Sequence, residues 1–254
     1  MNSSAEEDQG QPLVAHLTEL RDRLLRVIIC IVVIAGFLMI WSGEIYTFVA
    51  EPLQRYLPAG TSMIATEVAS TFLAPFKLVL VLALSLTMPV IFYHAWGFIA
   101  PGMYKHEKRI AAPLLVSSVI LFYAGMALAY YVVFPLIFSF FSSIAPEGVA
   151  YTPDISRFLD IVLKLFLAFG LAFEIPIATV LLVSTGAVSP EKLKEKRAYV
   201  VVGCFVFGML LTPPDIISQA LLAIPMWMLF ELGLFFSRFV HEPKESEEAK
   251  EESA

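Results

Sequence analysis

Six stretches of this chain, at about 24–41, 76–99, 110–134, 158–185, 199–211 and 219–236, are apolar over most of their length. A helix needs about 20 apolar residues to cross a hydrocarbon core of about 30 Å, and the six runs meet that requirement wholly or marginally. The expected fold is an all-α membrane protein with six transmembrane helices. Composition agrees, because 58% of the residues are apolar and 16% charged, against roughly 45–50% and about 25% in soluble domains. That balance excludes a water-soluble globule and a disordered chain. Nucleic-acid binding has no support, since no basic stripe exceeds a few residues. Much of the net charge of −6 comes from the tail that begins at His241, with Glu242, Glu245, Glu247, Glu248, Glu251 and Glu252.

The first run follows arginines, but the residues before it are numerous and acidic (Glu6, Glu7, Asp8) and no small-x-small cleavage site follows it. It therefore reads as a retained span. Arg21, Arg23 and Arg26 flank span one, Lys105, Lys108 and Arg109 separate spans two and three, and Lys192, Lys194, Lys196 and Arg197 separate four and five. The opposite side, 42–75, 135–157 and 212–218, offers Arg55, Lys-free turns and Arg157. By the positive-inside rule both termini are cytoplasmic. The fifth and sixth helices read as short. Tyr199 to Leu211 spans only about 20 Å of helix, and Thr212-Pro213-Pro214-Asp215 stops it. Pro225 is expected to interrupt the sixth. Such helices either thin the bilayer locally or are sheltered by neighbouring helices.

Function has to be read from polar exceptions to the apolar pattern. Residues 12–24 are amphipathic, with Leu13, Leu17, Leu20 and Leu24 at helical spacing. They predict a helix lying on the membrane surface ahead of span one, with Pro12 in its first turn. Within it, Glu19 can pair with Arg23, and Asp22 with Arg26, at i,i+4. Glu107 stands in the loop Phe98-Ile99-Ala100-Pro101-Gly102-Met103-Tyr104-Lys105-His106-Glu107-Lys108-Arg109, where local charge balance would account for it. Glu19 and Glu107 are nonetheless both carboxylates at the same membrane edge. They suit a ligand with two guanidinium groups, because a carboxylate binds Arg bidentately.

Glu174 is the strongest single position. It lies about 24 Å of helix from one end of span four and about 16 Å from the other, where a carboxyl group costs about 2.5–3.5 kcal/mol on insertion scales. Pro176 frees the Ala172 carbonyl and is expected to kink the helix there. Gly170 and Ala172 would admit a partner helix closely, and Gly125 with Ala129 reads as packing. Lys164 is expected to pair with Asp160 four residues earlier. Cys30 and Cys204 fit apolar packing, and a lone His94 makes no metal site. HExxH, GxSxG, Walker A and GxGxxG patterns do not occur, so the sequence points to no enzyme, no cofactor and no catalytic or metal-binding residue.

Four segments in order carry a resemblance: HLTELRDRLL at 16–25, FIAPGMYKHEKR at 98–109, FGLAFEIP at 169–176 and GMLLTPPDIISQALLAIPMWMLFELG at 208–233. Together they resemble the TatC family, the polytopic core subunit of the twin-arginine (Sec-independent) protein translocase. The likeness runs from about Pro12 to Phe239, implying a six-span domain at 12–239 between tails at 1–11 and 240–254. It implies a receptor for twin-arginine signal peptides of proteins exported already folded across a bacterial inner membrane. Such a receptor works with the single-span subunits TatB and TatA, self-associates with them in the bilayer, and uses the proton-motive force. It further implies that Glu19 and Glu107 read the signal, with Arg21, Arg23 and Phe98 at positions the family relies on. Glu174 is then the intramembrane contact for a partner helix, and Pro52 and Asp215 are further functional positions. A proton-coupled small-solute carrier using Glu174 is the alternative, though spans 1–3 and 4–6 show no convincing repeat. An intramembrane protease would have to use Asp160 and Asp215, which carry no catalytic motif.

Overall fold

The computed structural model describes residues 4–55, 57, 62–99, 108–144, 152–211 and 216–240. Among them no strand is formed, and a single parallel bridge joins Ile64 to Asp154. The helices are α1 (Ser4–Leu38), α2 (Ser42–Gln54), α3 (Ser70–Ile99), α4 (Lys108–Leu128), α5 (Phe134–Ser143), α6 (Ile155–Ala172), α7 (Ile175–Ser184), α8 (Pro190–Glu195), α9 (Arg197–Leu211) and α10 (Ile216–Val240). Five helical stretches are long and apolar enough to cross a membrane: Leu17–Pro52, Ser70–Phe98, Ala112–Ser143, Ile155–Ser184 and Gln219–Arg238. The shorter apolar helix Arg197–Leu211 accounts for the sixth run. Helices satisfy their own backbone groups, which a lipid environment demands.

Boundaries differ from the hydropathy reading in instructive ways. α1 is continuous from Ser4 to Leu38, so the amphipathic segment does not form a separate surface helix and Pro12 lies inside the helix. A change from amphipathic to fully apolar sequence alters what a helix faces but removes no backbone hydrogen bond, so nothing forces a break. α10 likewise runs through Pro225 without interruption. Its 20-residue apolar stretch, Gln219–Arg238, is the shortest of the five.

The chain divides into two compact units, 1–102 with 149–163, and 103–148 with 164–254. In the first, α1 and α2 pack against α3, whose buried face carries Ala74, Leu78, Val79 and Ala83. Ahead of Pro89, the buried hydroxyls of Ser85 and Thr87 donate to the carbonyls of Val81 and Ala83 at 2.9 and 2.7 Å. They are satisfied without leaving the apolar helix. Beyond α2, the extended segment at Ile64 lies along the start of α6: Ile64 N donates to Pro153 O and Ile155 N to Ile64 O. The Asp154 carboxylate accepts from Thr66 N and Oγ1 at 3.0 and 2.7 Å. It also caps α6 through Ser156 N and Arg157 N at 2.9 and 3.1 Å. Four donors on the ionised form hold its pKa down at about 2, chiefly through Thr66. Asp160 corrects another expectation, since it pairs with Lys77 of α3 at 3.0 Å and not with Lys164.

In the second unit, α4 passes into a π-helical turn at Ala129–Val133 before α5. Pro135 follows, and its missing N–H leaves the Tyr131 carbonyl without its usual partner, which explains the change of pitch. Tyr130 stacks on Phe166 and Phe134 meets Phe166 edge-on, with centroids 6.4 and 5.1 Å apart. Gly186, at φ 66, closes the end of α7 in the left-handed region that glycine alone enters freely. α10 packs chiefly on α7 and α9. Gly233 permits the first contact, since a Cβ there would stand 2.7 Å from Pro176 Cα. The α9–α10 pair is tied at two levels, by Gln219 Nε2 donating to Phe205 O at 2.8 Å and by Arg197 to Glu231 at 2.6 Å.

Candidate functional site

Glu19, Arg23 and Phe98 come together where α1 meets α3. Glu19 and Arg23 are one helical turn apart, and Arg23 Nη2 donates to Glu19 Oε1 at 2.5 Å, as the i,i+4 spacing leads one to expect. The same guanidinium donates through Nη1 to the His94 carbonyl at 3.3 Å and lies 5.8 Å from the Phe98 ring centroid. Gly97 lies beside it, and a Cβ at that position would make only ordinary contact, 3.8 Å from Nη2. Arg23 is thus a bracket between two helices, 19% exposed, holding a Glu19 side chain that is 51% exposed. A carboxylate has four lone-pair sites on two oxygens, and among the described residues only Oε1 of Glu19 is engaged. The second oxygen is open to a guanidinium from outside.

Arg21 does not join this group. It is 68% exposed and pairs with its neighbour Asp22 at 2.8 Å, so the expected Asp22–Arg26 pair is replaced by a shorter-range one. Pro52 lies within α2 and is buried. Glu107 and Asp215 lie outside the described residues.

Glu174 stands at the break between α6 and α7, as Pro176 led one to expect. Pro176 cannot donate to Ala172 O, and the backbone tightens there, with Glu174 N bonding to Leu171 O at 3.0 Å. The helix resumes when Ala178 N reaches Glu174 O at 2.8 Å. The side chain bonds to the hydroxyl of Ser118 on α4, while its Oε1 is buried without a hydrogen-bond partner. Gly170 and Ala172 do not offer a face to a partner helix: a Cβ at Gly170 would meet Phe122 Cε2 at 2.6 Å, and Ala172 is buried. Their smallness serves packing inside the chain.

Sequence reasoning missed Ser118, the His94 carbonyl and Lys77. Only Ser118 left a trace, as the second of two serines in an apolar run. Among the described residues no group of three or more His, Cys, Asp or Glu side chains is arranged to hold a metal ion.

A family model described as Sec-independent protein translocase protein (TatC) matches residues 15–225. The chain is 58% identical over 245 residues to the Sec-independent protein translocase protein TatC of Azotobacter chroococcum mcd 1, with 96% of each covered. It is 56% identical over 232 residues to that of Escherichia coli strain K12, covering 91% of this chain and 90% of that protein. A crystal structure of the twin arginine translocase receptor TatC shares the fold at a TM-score of 0.78 and 34% identity. That match covers 89% of this chain and 99% of the other.

Proposed function

Because the chain belongs to the TatC family of Sec-independent protein translocase proteins, we propose that it is the signal-peptide receptor and core scaffold of a twin-arginine translocon. In this reading it sits as a multi-pass protein in a bacterial inner membrane, with both termini cytoplasmic, and exports folded proteins with energy from the proton-motive force. The observation that carries the reading is the Arg23 bracket, which fixes a half-exposed carboxylate at one helix end with an oxygen to spare. One arginine of the signal takes Glu19 and the other Glu107, each by a charge-assisted bond worth about 1.5–3 kcal/mol, less where water screens it. Arg23 and Phe98 act by holding Glu19, while Arg21 adds surface charge and Pro52 and Asp215 act on the opposite side of the membrane. The six-span domain at 12–239 does this work between tails 1–11 and 240–254. TatA and TatB bring single helices to Glu174, and copies of the chain associate with them in the bilayer.

Titration of a fluorescent twin-arginine signal peptide against the purified protein tests the reading. Glu107→Ala is expected to weaken binding about tenfold to a hundredfold, and Glu19→Ala to add to that loss. Wild-type affinity in both variants overturns the two-carboxylate reading. A carrier of small solutes, by contrast, would bind the twin-arginine peptide no better than one with two lysines in place of the arginines.

A further inference from the structure

α4 and α6 run antiparallel in a register fixed by two glycines. A Cβ at Gly125 of α4 would stand 2.4 Å from Phe169 O of α6. At the next residue of α6, a Cβ at Gly170 would meet the ring of Phe122 at 2.6 Å. Ser118, Phe122 and Gly125 follow one another at four and three residues along a single face of α4, all buried. Phe169, Gly170 and Glu174 answer them in reverse order along α6 and its end. One step back along α4 from Phe122 and one step on from Gly170 bring Ser118 opposite Glu174, where the hydroxyl meets the carboxyl group. Neither glycine contact can slide without a backbone or ring clash, so Ser118 is pinned at the level of the carboxyl group.

The bond leaves Glu174 half satisfied. Oε1 is buried without a partner, so the oxygen held by Ser118 is Oε2. An oxygen deprived of bonds within an apolar environment is costly, whereas a hydrogen bond from a second helix is available only if the carboxyl group turns to meet it. We propose that Ser118 is a positioning residue that retains the Glu174 carboxyl group inside the chain, so that a partner helix engages it by exchange for the Ser118 bond. The inference rests on the proposal that a single-span helix docks at Glu174. It adds that docking is a competition: the resting carboxyl group has one bond, and the docked one gains its second by leaving or sharing the first. Ser118 therefore sets how readily the partner engages.

The test is disulfide crosslinking in membranes between a cysteine at Ala178, which is exposed one turn from Glu174, and a cysteine scanned along the TatB helix. Native Cys30 and Cys204 are replaced by alanine. Ser118→Ala is expected to raise crosslinking at limiting TatB about two- to tenfold, the range of one neutral hydrogen bond. Ser118→Thr, which keeps the hydroxyl, should remain near the wild-type level. In a Glu174→Ala background Ser118→Ala should change nothing, because its action passes through the carboxyl group. A fall or no change in crosslinking with Ser118→Ala overturns the exchange. So does a rise that persists without Glu174. If Glu174→Ala alone leaves crosslinking unchanged, docking at Glu174 is itself wrong. A second readout needs no partner: in the purified protein the infrared band of the Glu174 carboxyl group, isolated by difference from Glu174→Gln, should shift on Ser118→Ala and stay in place on Ser118→Thr. A band that does not move with Ser118→Ala removes the bond on which the inference stands.

Discussion

Glu19 is half exposed, with one oxygen on Arg23 and the other open, whereas Glu174 has one oxygen on Ser118 and the other buried with nothing to bond. Each carboxyl group is held by one side chain, yet the second oxygen is in a different position in each. At Glu19 water fills whatever the protein leaves open, so an incoming guanidinium replaces water and the gain is modest. At Glu174 no solvent can do so, and the open oxygen is a standing demand for a donor or acceptor. On the proposed reading, the site for transient recognition is the one where water lowers the cost of being empty. The proposed site for assembly is the one where emptiness is costly.

The sharpest way to break this contrast is to damage one site through the packing that supports it. Gly125→Leu forces a side chain against the Phe169 backbone, and overpacking of this kind costs about 1–3 kcal/mol. The expected result is a clear fall in the detergent melting temperature, measured by fluorescence-detected size exclusion, with signal-peptide affinity retained in the fraction that stays folded. Equal loss of binding would mean that the two carboxyl sites are not separately supported. Next in size is the bracket itself. Arg23→Ala frees Glu19 from α3 and should lower signal-peptide affinity by about tenfold. Arg23→Lys should fall in between, since an ammonium group lacks the two-armed geometry that reaches Glu19 and His94 O together. Wild-type affinity in both would show that Glu19 needs no holding.

Asp154 sharpens the comparison with the smallest expected effect. It is a partly exposed carboxylate that the protein nonetheless satisfies, with Thr66, Ser156 and Arg157 as donors. Its pKa is lowered from 3.8 to about 2, so the ionised form is the one that stabilises the junction of the Ile64 segment with α6. That contribution is whole above pH 3.8 and is lost only as the pH falls through about 2. A carboxyl-carbon titration by NMR should place its midpoint near 2, and Thr66→Ala should move the midpoint upward. A wild-type midpoint near 3.8 would remove the hydrogen-bond account.

Much of this architecture is legible in the sequence because hydropathy and proline act locally. The six runs, the break before Pro176 and the Glu19–Arg23 pair all depend on residues a turn or so apart. Long-range partners are a different matter. Asp160 has Lys164 within one turn, yet it pairs at 3.0 Å with Lys77, 83 residues away on α3, a neighbour that only the tertiary fold supplies. Gly170 was recognisable as a place of close approach, but the sequence does not say whether the visitor is another subunit or Phe122. Ser118 is hardest of all. A serine in an apolar helix ordinarily bonds to a carbonyl of the preceding turn, and only the register of α4 against α6 reveals that it serves Glu174.

α1 has 35 residues, a rod of about 52 Å, well beyond the roughly 30 Å of hydrocarbon it has to cross. In the most apolar window of its span, none of the residues is buried inside the chain. Lipid therefore meets that window while α3 packs along α1, so the inclination of α1 answers to the bilayer as well as to α3. Glu19 lies about 18 Å along that rod from Ile31, so a lean of about 10° carries it through about 3 Å, comparable to the full length of the Arg23–His94 bond. On the proposed reading, the geometry at which Glu19 meets an arginine then depends on the thickness of the bilayer around α1.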